Sequence, residues 1–481
     1  MNMDVIDTKE EDNLIIERYE LSMDRISRMF LEDSVNEPFT DYFITTAKFI
    51  MDIKSLYEQV EQGTLRNLSY SELKDLNASL YRGIIVKNYE ESYANPEYAC
   101  KKLGDEYGRL LSFIYREIRG MIVYAFEGRV FDITICNELF IEIYNWFEDE
   151  KEPSIDELKK IVYWFISDYS DQTVTYRVRE QLDPSLDFAT KIIMNSDLED
   201  LKYLYFFGEY ISDNEIETAR YLNSLPEHEI DKMAETFTEG YRLGFVNAKK
   251  DLSKKGTVNI RFNIGFERIV RHAIAKFDAM GLEPVIYRNA VNSINRRQNI
   301  VIGYASTSPN KQYDYDHRFD NFLYLDHDFN ERKLGVLKVA YEQYKDLAAK
   351  MAGPAVMEIF GENPFTPVHK DSCCKLTKKQ QKLSVSYANA SARIINEYIK
   401  GDERSFTIIA FPIPEIGVDG LFEEIFSETI KINTLDQECY KEVQQTIIDT
   451  LDQADYVRIT GTGDNKTNLV VNLNELNNPD K

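Results

Sequence analysis

Apolar residues recur every three to four positions along the first half of the chain, with polar residues between them. Near the start, Tyr19, Met23, Ile26 and Phe30 have the spacing of one helix face. Prolines are sparse in this half and separate one periodic run from the next. Aromatic residues at the same spacing are typical of a packed core. The pattern predicts an all-α domain over residues 1–250, with about ten helices.

The periodicity changes shortly after residue 250. Residues 257–263 alternate between apolar and polar as a strand does, and helical spacing follows over 266–277. Gly281 stands where a glycine commonly ends a helix, and an apolar strand is predicted over 284–287. This order predicts a β-α-β unit whose strands are parallel and joined by a right-handed crossover.

Further short apolar runs predict that the α/β pattern continues to residue 435. The predicted strands are 300–304, 321–325, 355–360 and 405–411, and the predicted helices are 332–351, 377–399 and 421–430. A helix over 290–294 is an open alternative in the connection to the first of these strands. We expect Gly353 and Pro354 to close the helix before them, and the 405–411 strand to be buried on both faces. We therefore predict a layered α/β domain with a mostly parallel sheet over residues 251–435.

Residues 436–481 predict a helix and then a β-hairpin. Tyr440, Val443, Ile447 and Leu451 fall on one helix face, and two short apolar runs follow around a Gly/Asn/Asp turn. A hairpin needs more strands to bury its apolar face. Either the hairpin packs on the residues before it, or the chain is the front portion of a longer protein. The fold class predicted overall is multidomain, an all-α domain and then an α/β domain, ending in a β-hairpin.

The composition narrows the classes of partner. The 481 residues carry a formal net charge of −25, which argues against nucleic acid and anionic membrane as partners, because both require a basic face. Solubility explains the acidity, and attraction of cationic substrates is an alternative that charge counting leaves open. The run 110–126 contains Arg116, Glu117 and Arg119, so it predicts a buried helix rather than a membrane span.

The cysteines and the N-terminus predict a cytoplasmic protein. The chain has five cysteines, none of them in a CxxC pair, and the vicinal Cys373 and Cys374 are poorly placed for an ordinary disulfide. Reduced thiols are the expected state. The first residues are acidic and lack the basic and apolar regions of a signal peptide.

A cluster of carboxylates and imidazoles is the one suggestive arrangement of chemical groups. Its members are Asp314, Asp316, His317, Asp326, His327 and Asp328. Such side chains can bind a divalent metal, and a metal-dependent hydrolase built on the Asp314–Asp328 cluster is one alternative function. The other interpretation is an acidic surface turn. No serine or cysteine stands in a pattern that indicates nucleophilic catalysis.

Two glycine-containing turns resemble phosphate loops only superficially. Gly461 and Gly463 follow a predicted strand, but a strand rather than a helix comes next, and a dinucleotide site needs the helix N-terminus. The first β-α turn, residues 263–266, is too poor in glycine for a nucleotide. Both are predicted to be structural turns.

The C-terminal half is similar to a known enzyme family. The strand-plus-proline run 405–412, the helix around 422–426 and the segment 457–469 resemble, in this order, the thermophilic-type metallo-aminopeptidases, also called leucyl aminopeptidases. The similarity covers residues 255–481, although Asn468 stands where that family more often has Asp. The helical half resembles the N-terminal extension of clostridial-type members, most clearly in the run 108–124.

The resemblance implies an exopeptidase that releases N-terminal amino acids from peptides, acts as a homodimer and uses two divalent ions, zinc, cobalt or manganese. The resemblance also implies that residues 436–481 are the linker helix and first hairpin of a truncated catalytic domain. In the family the first ligands lie in a Glu-Val-Phe-like segment, which would come shortly after Pro479. No ligand can be carried over, so no catalytic, cofactor-binding or metal residue is assigned. We expect the chain alone to bind no metal pair and to be inactive. A non-enzymatic interaction protein that uses the helical domain is a further alternative.

Overall fold

The computed structural model describes residues 8–149, 153–297, 300–417 and 421–473. The first half is helical, as predicted. Its helices are α1 (Thr8–Arg28), α2 (Phe39–Glu61), α3 (Tyr70–Tyr81), α4 (Val86–Tyr89), α5 (Pro96–Leu103), α6 (Asp105–Arg119), α7 (Met121–Phe126), α8 (Val130–Asp149), α9 (Ile155–Asp168), α10 (Ser170–Glu180), α11 (Phe188–Asn195), α12 (Asp213–Ser224) and α13 (Glu227–Asn247).

Local sequence explains several of these helix ends. Ser69 and Ser212 each begin a helix with a capping box, in which a glutamate three residues later bonds back to the serine. The predicted helix over 110–126 is buried, as expected, but it is divided into α6 and α7 at Gly120. The N–H of Gly120 bonds to the Glu117 carbonyl three residues back, which tightens the last turn of α6.

The second half alternates helices and strands, as predicted. Its elements are β1 (Thr257–Arg261), α14 (Glu267–Ala279), β2 (Glu283–Val285), α15 (Lys311–Asp316), α16 (His327–Gln343), α17 (Lys345–Lys350), β3 (Met351–Phe360), α18 (Lys378–Tyr398), β4 (Thr407–Pro412), α19 (Leu421–Asn433), α20 (Gln437–Leu451), β5 (Tyr456–Thr460) and β6 (Asn468–Asn472).

Strands β1 to β4 form one parallel sheet in the order β2-β1-β3-β4. The β-α-β unit of β1, α14 and β2 is confirmed, and Gly281 ends α14 with a φ of +78°. Helix α14 packs its apolar stripe, including the fully buried Ile269 and Phe277, into the core. Helix α13 packs against α14, β3 and β4.

Two predicted strands are absent from the described sheet. Residues 300–304 form only an isolated bridge between Arg288 and Tyr304, and Ile300 and Val301 are 54% and 60% exposed. The alternative helix over 290–294 is also wrong, since this segment is a turn. Residues 320–323 form a 3-10 turn rather than the predicted strand. Short apolar runs do not distinguish a strand from a loop buried by tertiary contacts.

The predictions around β3 and β4 need correction as well. The helical segment begins at His327 and is divided at Tyr344. Gly353 and Pro354 do not close it but lie inside β3, where the register shows one extra residue opposite β1. A bulge of this kind accommodates Pro, and a Cβ on Gly353 would lie 1.9 Å from the Ser405 carbonyl oxygen.

Strand β4 is an edge strand and is buried on one face only, contrary to the prediction. Its residue Ile408 is 60% exposed, whereas Ile409 and Phe411 are buried. The exposed face alternates with the buried one because successive side chains of a strand point to opposite sides.

The chain forms two compact units, Met1–Phe426 and Ser427–Lys481. The first contains helices α1–α13 together with the parallel sheet. In the second, α20 and the antiparallel hairpin of β5 and β6 are confirmed as predicted. The apolar face of α20 is exposed, and so is every residue of β6. The turn at Gly461 is closed by its N–H, which donates to the Thr467 carbonyl at 2.7 Å.

Arg288, directly after β2, joins the helical half to the sheet. Its guanidinium is buried and donates to Glu127 at 2.8 Å, to Glu209 at 2.6 Å and to the Phe207 carbonyl at 2.5 Å. The ring of Tyr304 lies under it, with 5.0 Å between the guanidinium carbon and the ring centroid. One buried cation therefore holds two helical-half segments, at Glu127 and at 207–209, against the residues that follow β2.

We predict that Arg288→Met lowers the free energy of unfolding by about 3–5 kcal/mol, because it removes the cationic partner of Glu209 and leaves Glu127 with Arg129 alone, at 3.5 Å. Denaturant unfolding followed by circular dichroism measures the change. The control is Arg220→Met, which removes an exposed pair with Glu217 and should cost less than about 1 kcal/mol. Equal losses in the two variants would contradict the role assigned to Arg288.

Candidate functional site

The strand order places a crevice at the carboxyl end of the sheet. The chain passes from β1 to β2 on one side and then to β3 on the other, so the crossovers diverge between β1 and β3. Ligands of parallel α/β sheets bind at such a point. A cavity of about 460 Å³ lies there, lined by Arg261 and Asn263 after β1 and by Glu358 of β3. We call it the edge cavity. It contains both acidic and basic side chains.

The first β-α turn is occupied by the protein's own carboxyl group, which agrees with its prediction as a structural turn. Glu267 at the start of α14 is fully buried and accepts hydrogen bonds from the Gly265 N–H at 2.9 Å and the Tyr203 hydroxyl at 2.7 Å. Burial raises the pKa of Glu267 to about 7. The helix N-terminus that would hold a phosphate is therefore filled.

The members of the predicted acidic cluster have separate partners. Asp314 accepts from Arg296 and from the Ser308 hydroxyl. Asp316 is completely buried and accepts from Lys370 at 2.7 Å and from the Tyr89 hydroxyl at 2.8 Å.

The other members of the cluster are equally dispersed. His317 has the Asp320 carboxylate at 2.8 Å from one ring nitrogen and the Ala94 carbonyl at 2.6 Å from the other. Asp326 caps α16 through the Phe329 N–H, while the next two members, His327 and Asp328, are exposed. In the described part of the chain, no three His, Cys, Asp or Glu side chains converge as a metal site.

A second cavity, of about 580 Å³, has a strongly basic lining. It is enclosed by α10, α16 and α18 together with the loop that follows β2. Its basic residues are Arg116, Arg177, Arg296, Arg297, Arg318 and Lys333, and its carboxylates are Asp314 and Asp320. We call it the cationic cavity. It adjoins the edge cavity, because Arg116, Arg296 and Arg297 line both.

Both carboxylates of the cationic cavity are already paired. Arg116 donates to Asp320 at 3.1 Å, and Arg296 donates to Asp314. Arg177 is paired with Glu180 outside the cavity, at 2.6 Å.

Three cations remain without a carboxylate partner among the described residues: Arg297, Arg318 and Lys333. We call them the unpaired cations. Arg318 stacks on Tyr315, with 3.5 Å from its guanidinium carbon to the ring centroid, and donates to the Tyr315 carbonyl. Arg297 is exposed at the surface.

Lys333 is the most unusual of the three. Its ammonium donates to the Ile294 carbonyl and lies 4.7 Å from the ring centroid of Tyr387. Burial, reinforced by the charge of Arg297, lowers the pKa of Lys333 to about 7.

Sequence reasoning assigned none of the unpaired cations. One signal was present: Phe329, Lys333, Leu337 and Tyr341 recur every four residues, and the three apolar members are buried. A lysine on the apolar face of a helix indicates either a buried pair or a ligand site. Arg297 and Arg318 lie outside any periodic segment, so their spacing carries no such signal.

Comparisons with known proteins do not identify a relative. No family model matches the chain, and neither a curated protein nor a solved structure is significantly similar to it. Within the described ranges, every helix is too short or too polar to span a bilayer.

The buried carboxyl group at the first β-α turn predicts a pH dependence. Because its folded pKa lies above the unfolded value, ionisation favours unfolding, so its effect is absent below about pH 4.5 and grows until about pH 7. We expect Glu267→Gln to match the unmodified chain near pH 4 and to exceed it by about 1–3 kcal/mol near pH 8.

Denaturant unfolding across this pH range measures the difference. The exposed substitution Glu331→Gln is the control for simply removing a negative charge. A difference that is constant with pH would contradict a raised pKa in the folded state.

Proposed function

We propose that this chain binds short peptides by their carboxylate end in the cationic cavity, as a protein of the metallo-aminopeptidase class. The observation that supports the binding role is the group of unpaired cations in one cavity. The whole chain has 82 acidic and 57 basic residues, so a cation easily finds a carboxylate partner elsewhere. Cations left without one around a cavity indicate an anionic ligand.

The rest of the lining suits a peptide. The volume of about 580 Å³ is within the range of small-molecule sites. Tyr341 and Tyr387 offer aromatic surface, and Asn330, Gln381 and Ser384 offer amide and hydroxyl groups for the peptide backbone. An arginine guanidinium can bind a terminal carboxylate through two parallel hydrogen bonds.

The aminopeptidase class rests on the sequence resemblance. It is supported by the order of the later elements: the β-α-β unit, β4 ending at Pro412, α19, α20 and the hairpin follow each other as the resemblance expects. The two metal ions of that class do not fit the described residues, which contain no group of three ligating side chains. No catalytic step is therefore assigned to a metal. We also propose that the protein is cytoplasmic.

The binding role predicts discrimination between a peptide acid and its amide. We expect the tripeptide Leu-Gly-Gly to bind, and its C-terminal amide to bind at least about tenfold more weakly, because the amide cannot neutralise the cations. Isothermal titration calorimetry of the full chain measures both.

Variants test the location of the same site. Arg297→Gln and Arg318→Gln should each weaken the binding of the acid by about tenfold, whereas the control Arg220→Gln should leave it unchanged. Equal affinity for acid and amide would contradict recognition of the carboxylate. Tight binding of inorganic phosphate with no binding of the peptide acid would contradict a peptide ligand.

Because the described residues contain no group that could hold a metal ion, we predict the result of an activity assay. We expect the chain, supplied with zinc, cobalt or manganese, to release no aniline from a leucine anilide above the protein-free blank. Absorbance of the released aniline measures turnover. Metal-dependent release that disappears with a chelator would contradict this prediction and would place ligands outside the described residues.

A further inference from the structure

We infer that Lys333 is a carbonyl-reactive amine, which forms an imine with the aldehyde or 2-oxo group of a small organic anion held in the cationic cavity. The inference shares with the proposed function only the statement that an anion occupies this cavity. It assigns a covalent step to Lys333, whereas the test of peptide binding depends on Arg297 and Arg318.

The position of the amine supports this role. Helix α16 directs Lys333 into the cavity wall, where Nζ donates to the Ile294 carbonyl. A neutral amine that donates one N–H to a carbonyl keeps its lone pair free for attack on carbon. No described carboxylate pairs with this nitrogen, so none holds it in the protonated, unreactive form.

The electrostatic surroundings keep the amine partly neutral near pH 7. Burial and the charge of Arg297 both lower its pKa. The other charged or titratable groups that line the cavity are Arg116, Arg177, Arg296, Asp314, His317, Arg318, Asp320, Tyr324, Tyr341 and Tyr387. The carboxylate of Asp320 is engaged by Arg116 and His317, so it does not offset the effect of Arg297.

Two of the unpaired cations are placed to bind the reactant. Arg297 and Arg318 can hold the anionic group of the reactant while its carbonyl carbon faces Lys333. In the reaction, Nζ of the neutral amine forms a bond to the carbonyl carbon, both of its transferable protons pass in turn to the oxygen, and the oxygen leaves as water while the carbon–nitrogen double bond forms. The product is an imine, and no oxidant or reductant takes part. A carboxylate beside the imine nitrogen stabilises its protonated form.

The test is reductive trapping on the full chain. Glyoxylate is the anionic probe, acetaldehyde is the neutral probe, and cyanoborohydride reduces the imine to a stable amine that peptide mass spectrometry locates. At pH 7 we expect glyoxylate to modify Lys333 at least about tenfold faster than Lys338, an exposed lysine of the same helix. The preference should be smaller, but not lost, with acetaldehyde, because the lowered pKa of Lys333 favours attack on any carbonyl, whereas only glyoxylate has an anionic group that the cations can hold.

Two variants complete the experiment. Lys333→Arg keeps the charge and should abolish the fast modification. Arg297→Gln should slow both probes, because the charge of Arg297 lowers the pKa of Lys333, and it should slow glyoxylate by the larger factor, because glyoxylate also loses a partner for its anionic group. Modification of Lys333 no faster than Lys338 would overturn the inference, even if peptides bind. Fast modification of Lys333 without peptide binding would support it and contradict only the peptide ligand.

Discussion

The buried guanidinium of Arg288 is the contact on which the rest of the structure depends. It satisfies Glu127 and Glu209, and its own backbone carbonyl accepts a hydrogen bond from Arg177 of α10 at 2.8 Å. Loss of the guanidinium alone would leave the Glu209 carboxylate in the interface without its cation, which is strongly destabilising because the charge then lacks compensation. The helical half and the sheet are therefore energetically coupled at the end of β2.

The same contact determines where the cavities lie. The loop after β2 leaves the Arg288 cluster and passes between the two cavities, so its residues Asn289, Arg296 and Arg297 line both. Its later part returns to the sheet at Tyr304, whose N–H donates to the Tyr287 carbonyl at 2.8 Å. A loop held at two ends by buried contacts can present cations at defined positions, although it belongs to no regular element.

The elements predicted well are those whose periodicity extends over many residues. The β-α-β unit combined alternation, a long helical stripe and Gly281, and these signals agree with one another. The runs 300–304 and 321–325 are too short for that consistency. Tyr304 is buried because it packs against Phe207, about a hundred positions earlier in the chain, and against the nearer Arg288. No local pattern can distinguish such a contact from a strand.

The candidate site was harder to predict because its defining feature is a group of cations without carboxylate partners. A chain with excess carboxylates has enough acidic residues to pair with every cation, and only the fold shows which cations lack a partner. The net charge of −25 and the cationic cavity are compatible, because the cations that line the cavity act over a few ångströms while charges farther away are screened. Attraction of cationic substrates, the alternative that charge counting left open, depended on that global charge. Near Lys333 the charge of Arg297 makes the local potential positive, which favours an anionic ligand rather than a cationic one.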